Sequence, residues 1–238
     1  MGSDLMINLL ASIIAGTAVW LAQFGIRRRR VNARRAFFGL PATSTALLVT
    51  ARHYSSPSDR SVHRRDVAAL VELATLVREC GARADLIGGA DVRPELGRLT
   101  EFCVGGPSAN PRSAAHLRTA LRGVTYQVGE RGGTKAFTVG GTDYVNTPAE
   151  TYAVLARFYA PGAPRPVFFL GGLTADGNNA AARHLGAHQR ALLTAYGDDR
   201  PFCLVLRVRE PEAYGTDFTE LVADVSDVAF IGAAAGED

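Results

Sequence analysis

Cysteine is scarce and never clustered. Cys80, Cys103 and Cys203 stand far apart, each inside an apolar run, with no CxxC pair and no Cys/His grouping. That pattern excludes a zinc ribbon and a disulfide framework, and isolated thiols suit a reducing compartment. Cys103, between Phe102 and Val104, reads as a strand residue facing a core rather than as a nucleophile. Lysine is almost missing too: Lys135 is the only one, so the net charge of +3 rests on arginine. The arginine bias is a weak pointer to phosphate partners, and no specific nucleic-acid binding is expected. No low-complexity tract or sustained heptad occurs, which removes linker arrays and coiled coils.

Charge is also absent from Leu5 to Ile26, the run LMINLLASIIAGTAVWLAQFGI. As a helix this segment is long enough to cross the roughly 30 Å hydrocarbon layer of a bilayer. Arg27, Arg28, Arg29 and Arg30 follow at once, and basic residues flank the cytoplasmic end of a spanning helix. The expectation is a single-pass anchor over residues 1–26, N-terminus outside and the remainder cytoplasmic, with anionic lipid near Arg27–Arg30. A cleaved signal would carry its positive charge before the apolar core, whereas here Asp4 precedes it and the arginines follow. A buried core helix is the other alternative. Residues 27–43 read as a basic juxtamembrane linker ending near Pro41.

Beyond the linker, strand-like and helical patterns alternate. TALLVTA at 45–51 is a short buried strand. The stretch opening at Asp66 is an amphipathic helix stopped by Gly81, and Ala84–Ile87 and Glu101–Val104 are further strands. Strand Pro166–Leu170, helix Asn179–Tyr196 and strand Phe202–Val208 resume the pattern later. Such alternation predicts an α/β fold of the Rossmann-like three-layer kind over residues 44–232, with a mostly parallel sheet. Residues 124–160, with strand-like runs parted by glycine turns, read as an antiparallel β insert, and 233–238 as a loose tail.

Two stretches nearly superimpose: FCVGGPSAN at 102–110 and FFLGGLTAD at 168–176. Each is an apolar strand, a Gly-Gly pair, a hydroxyl residue and a helix-capping residue. Glycines let backbone N–H groups approach an anion, the hydroxyl adds a donor, and the following helix directs its positive end at the site. In an open parallel sheet, loops at the carboxyl ends of strands converge on ligands. The binding residues expected on that rule are Arg52, Gly105, Gly106, Ser108, Asn110, Gly171, Gly172, Thr174 and Asn178. Asp176 and His53 are the acid/base candidates. Neither loop is a GxGxxG fingerprint or a P-loop, and tight strand-to-helix turns capped by Asn110 and Asp176 explain the same residues without a ligand. Arg157, inside the apolar run TYAVLARFYA, reads as a solvated sheet position or as a border of the site.

AFFGLP at 36–41, FCVGGPSAN at 102–110 and FFLGGLTADGNNAA at 168–181 give the chain its resemblance to short actinobacterial single-pass membrane or secreted proteins of uncharacterised role. More distantly, the two glycine loops resemble those of nucleotide-sensing and nucleotide-processing domains in bacterial signalling and defence systems. The likeness implies a class of ligand only, a nucleotide, dinucleotide or related phosphorylated small molecule; the two glycine loops and the inside-facing arginines give the expectation of a sensor or regulatory module. The likeness carries over no active-site residue. A hydrolase or glycosidase acting on a nucleotide-type substrate, and an interaction domain without a ligand, are the alternatives.

Overall fold

The computed structural model describes residues 2–230 except 54–55, 57, 59–60, 92, 94–95 and 130–132, and the side chains of 2–15 and 18 also lie outside the description. The tail expected at 233–238 therefore falls outside the described residues, as do most side chains of the expected span. Helix α1 (Gly2–Phe38) is continuous. The basic stretch is thus helix rather than linker through Phe38, because Arg and Ala are strong helix formers and no Gly or Pro intervenes between residues 27 and 38. The helix stops at Gly39, whose φ of 60° is the left-handed conformation that glycine adopts readily. Gly39 N–H donates to Ala36 and Leu40 N–H to Arg35, a Schellman closure. Phe37, Phe38 and Leu40 are buried against the domain. Among the described residues, no helix is long and apolar enough to cross a membrane.

The strands and helices follow in the order β1 (Thr45–Thr50), α2 (Arg64–Glu79), β2 (Arg83–Gly88), β3 (Thr100–Val104), α3 (Pro111–Thr119), β4 (Val124–Val128), β5 (Thr134–Val139) and β6 (Thr142–Val145). Then come β7 (Glu150–Tyr159), β8 (Pro166–Gly172), α4 (Ala175–Tyr196), β9 (Phe202–Arg209), α5 (Pro211–Tyr214), β10 (Thr219–Asp224) and α6 (Ser226–Ala229). A seven-stranded sheet has the order β10-β9-β7-β8-β3-β1-β2, and β4-β5-β6 make a separate antiparallel sheet. Strands β1, β2, β3, β8 and β9 share one direction; β7 and β10 oppose it. The chain is therefore mixed α/β with a mostly parallel main sheet.

The boundary of the insert also differs from expectation. The insert contains only β4, β5 and β6, because β7 lies in the main sheet between β8 and β9. Residues 151–158 of β7 are all buried, which a half-solvated hairpin strand would not allow.

Alternation sorts the strand residues onto two cores. Phe102, Phe168, Leu170 and Leu204 pack with α2, α4 and the Phe37–Phe38 end of α1. Val167, Phe169, Val154 and Val205 pack with Leu117 and Leu121 around α3 and with the small sheet.

Arg157 is fully buried rather than solvated. Its guanidinium lies 4.6 Å from the Phe37 ring centroid and 5.3 Å from that of Phe202. It donates to the carbonyls of Phe37, Tyr196, Gly197 and Arg200. One cation thus ties the end of α1 to the end of α4. Burial pulls its pKa below the usual arginine value.

Candidate functional site

Strands β1, β3 and β8 are parallel neighbours, so their carboxyl ends share one edge. After β1 and β8 the chain turns to α2 and α4 on one face; after β3 it turns to α3 on the other. Loops leaving in opposite directions open a crevice, the place where open α/β sheets bind ligands.

A cavity of about 310 Å³ occupies this crevice. Eight of the expected residues line it: Arg52 and His53 after β1, Gly106 and Ser108 after β3, and Gly172, Thr174, Asp176 and Asn178 at the end of β8 and the start of α4. The two Gly-Gly loops abut there, since a Cβ added to Gly106 would sit 3.3 Å from the Gly172 carbonyl oxygen. Gly105, Asn110 and Gly171 stand outside the cavity and shape its walls. Gly105 has a φ of 101°, and a Cβ there would come within 2.6 Å of the Ala51 Cβ. The Tyr126 hydroxyl donates to the Gly171 carbonyl at 2.6 Å. Asn110 caps α3, accepting from Arg112 N–H at 3.0 Å while its amide donates to the Val104 carbonyl at 2.8 Å.

The late loop is arranged differently. Helix α4 begins at Ala175, a full turn before the expected Asn179, because Thr174 is its N-cap and accepts from Gly177 N–H at 3.4 Å. Asp176 is consequently inside the first turn and forms an ion pair with Arg65. Asn178 is a clamp: its oxygen accepts from Gly172 N–H at 2.6 Å and its amide donates to Asp66 at 2.8 Å.

His63, Asp66 and Thr134 also line the cavity, and none of them stood out in the sequence. His63 is the N-cap of α2; its Nδ1 accepts from Arg65 N–H at 3.3 Å, leaving Nε2 as its other ring nitrogen for a ligand. Its ring centroid is 5.3 Å from that of His53. Asp66 is buried, and that burial pushes its carboxyl above the usual range, against the Asn178 hydrogen bond and the nearby His63 and His53. The available signal was its place at the start of the first crossover helix, on the strand edge where the loops converge. Thr134 meets Ser108 hydroxyl to hydroxyl at 3.1 Å and joins the small sheet to the crevice. The cavity thus combines the N-termini of α2 and α4, the hydroxyls of Ser108, Thr134 and Thr174, Arg52 and the carboxyl groups of Asp66 and Asp176. Backbone donors suit an anion, and carboxyl oxygens suit the hydroxyls of a sugar.

A second polar cluster, Glu101, Cys103 and His116, lies beneath α3 with ligand atoms close enough to meet a metal ion. Its carboxylate is already engaged. Arg112 donates to both Glu101 oxygens at 2.8–3.2 Å, and His116 Nε2 lies 2.6 Å from Oε1. Burial alone would raise the Glu101 pKa, but the His116 and Arg112 hydrogen bonds overcome it and hold the carboxyl below its usual range. The fully buried Cys103 thiol is pushed far up by desolvation. Comparison with protein-family models, curated proteins and solved structures found no match.

Proposed function

We propose that this chain is a membrane-anchored, Rossmann-like module that binds a nucleotide, dinucleotide or related phosphorylated small molecule, with a sensing or regulatory role. The crevice carries the reading. Two glycine loops, Ser108, Thr174 and the N-terminus of the 22-residue α4 face one cavity. The dipole of α4 favours phosphate, and the same edge offers carboxyl groups for a ribose. The anchor is supported by Val19, Trp20, Leu21, Phe24 and Ile26, each more than half exposed on α1 with no described residue of the domain covering them. Apolar residues exposed all round a helix suit lipid rather than water. The arginines at 27–30 favour a cytoplasmic domain.

Thermal unfolding of the full chain with a panel of nucleotides and dinucleotides tests the reading. A ligand at 100 times its Kd is expected to add about 2.7 kcal/mol of stability. No shift with any member of the panel, at millimolar ligand, would sink it.

A second reading, hydrolysis of a nucleotide-type substrate, draws on one observation. Asp66 is a carboxyl in the cavity whose pKa is raised by burial, the condition a general acid requires. It is better placed for that role than Asp176, whose carboxylate is held by Arg65. Product release that persists in Asp66→Asn would remove this reading.

A further inference from the structure

A second cavity, of about 570 Å³, shares no lining residue with the crevice and lies where the basic end of α1 meets the last turns of α4. Arg27, Arg30 and Arg34 line it from α1 at helical spacing, and Arg190 lines it from α4. Arg34 is paired with Glu79, the one carboxylate among the described lining residues. Arg27, Arg30 and Arg190 have no ion-pair partner among the described residues. The balance of charge therefore calls for an anion.

Gln189 supplies an independent observation. It lines the same groove, is only 8% exposed, and its side-chain oxygen has no hydrogen-bond partner among the described residues. A buried acceptor without a donor is costly, by about 1–3 kcal/mol, and turning the Gln189 amide toward the groove would let a hydroxyl from outside the chain satisfy it. Val31 and Leu193 give the groove an apolar wall beside these polar groups. Arg27 directly follows the apolar segment ending at Ile26, so a bilayer crossed by that segment would place its headgroups at the groove.

We infer that this groove holds the headgroup of an anionic phospholipid with free hydroxyls, phosphatidylglycerol being the simplest, its phosphate among Arg27, Arg30 and Arg190 and a hydroxyl donating to Gln189. The occupant would bridge α1 and α4, the two helices that Arg157 also ties. Lipid composition would thereby bear on how firmly the anchor helix is fixed to the helix that opens on the crevice.

The inference rests on the anchorage proposed above, and two measurements keep them separate. Flotation of the full chain with pure phosphatidylcholine vesicles reports on the apolar segment alone. In zwitterionic detergent, the full chain is titrated with short-chain phosphatidylglycerol, phosphatidylcholine and phosphatidic acid, and separately with glycerol 3-phosphate. Binding is followed by native mass spectrometry and by the thermal midpoint. Phosphatidylglycerol is expected to bind about tenfold more tightly than phosphatidylcholine, and the double variant Arg27→Gln, Arg190→Gln to lose about tenfold. Gln189→Leu is expected to abolish the preference for phosphatidylglycerol over phosphatidic acid while leaving phosphate-dependent binding in place. Equal binding of the zwitterionic and anionic lipids, or a double variant that binds as the parent does, overturns the groove. Glycerol 3-phosphate binding as tightly as the lipid also overturns it, in favour of a soluble anion. A chain that fails to float overturns the anchor, and the detergent titration then still decides the groove.

Discussion

The two glycine loops share nearly the same letters and spend them differently. In GGPSAN the chain makes an extra turn, with Ala109 and Asn110 N–H groups both donating to the Gly106 carbonyl, before α3 starts at Pro111. In GGLTAD the helix starts directly after Thr174. Ser108 therefore keeps its hydroxyl at the cavity beside Thr134, whereas the matching Thr174 is committed to capping α4. Asn110 is buried as a cap, and the matching Asp176 reaches Arg65. Each loop also has a carboxyl close by, with opposite character. Glu101, under the first, is held ionised by Arg112 and His116, while Asp66, under the second, is pushed toward its neutral form by burial. A repeated sequence pattern has given one wall built for rigidity and another built around a helix terminus and an unbalanced acid.

The largest expected effect falls on the first carboxyl. Glu101→Gln leaves the Arg112 fork and buried His116 without their counter-charge and is expected to cost about 3 kcal/mol in chemical denaturation at pH 7. Because the folded pKa of Glu101 is depressed, its contribution is present above the unfolded carboxyl range and fades as pH falls through the folded value. The gap between parent and variant should therefore narrow in acid. A gap independent of pH would contradict the ionised assignment.

Glycine substitution separates the loops next. A Cβ on Gly172 would lie 2.5 Å from the Thr174 carbonyl oxygen and 2.6 Å from Asn178 N, backbone atoms that cannot swing away. Gly172→Ala is expected to cost about 2–3 kcal/mol. On Gly106 the nearest contact is 3.3 Å, so Gly106→Ala should stay within about 1 kcal/mol of the parent while narrowing the cavity. If Gly106→Ala alters neither stability nor ligand-induced thermal shift, the first loop is not part of a binding wall. The caps follow in size. Asn110→Ala removes an N-cap and strands the Val104 carbonyl, about 2 kcal/mol together, against about 1 kcal/mol for Thr174→Val, whose hydrogen bond is longer. Denaturation midpoints of equal size for the two would mean that Asn110 acts only as a cap.

Elements governed by local periodicity could be read from the sequence. The first strand, expected from Thr45, runs Thr45–Thr50, and the strand-helix alternation placed eight of the expected residues on one edge. What escaped depends on partners distant in the chain. Nothing near Arg157 announces that the carbonyls of Phe37, Tyr196, Gly197 and Arg200 will surround it. Phe37 and Phe38 look like linker until Phe168 and Phe202 are seen against them. β7 follows a hairpin region yet finds both its neighbours later in the sequence. Asp66 has the local signature of a helix start, and its burial in the crevice comes from Asn178, 112 residues away.

The smallest expected effect is the one that distinguishes the two acids most directly. Asp66 has a folded pKa above its unfolded value, so the unfolded chain ionises first as pH rises, and the residue lowers stability from there through neutrality. Asp66→Asn keeps an oxygen to accept from Asn178, because Asn Oδ1 can replace the carboxylate oxygen at that 2.8 Å contact. The variant should therefore match the parent below the unfolded aspartate pKa of about 3.9 and be the more stable of the two at pH 7. Comparing the two chains at each pH cancels the titrating groups that do not interact with Asp66, including Glu101, whose contribution runs in the opposite direction, and leaves only Asp66 and its neighbours His63 and His53. A variant less stable than the parent at neutral pH would mean that the Asp66 carboxylate is matched by positive charge in the crevice. The second loop would then hold an ionised acid like the first, and the contrast between them would fail.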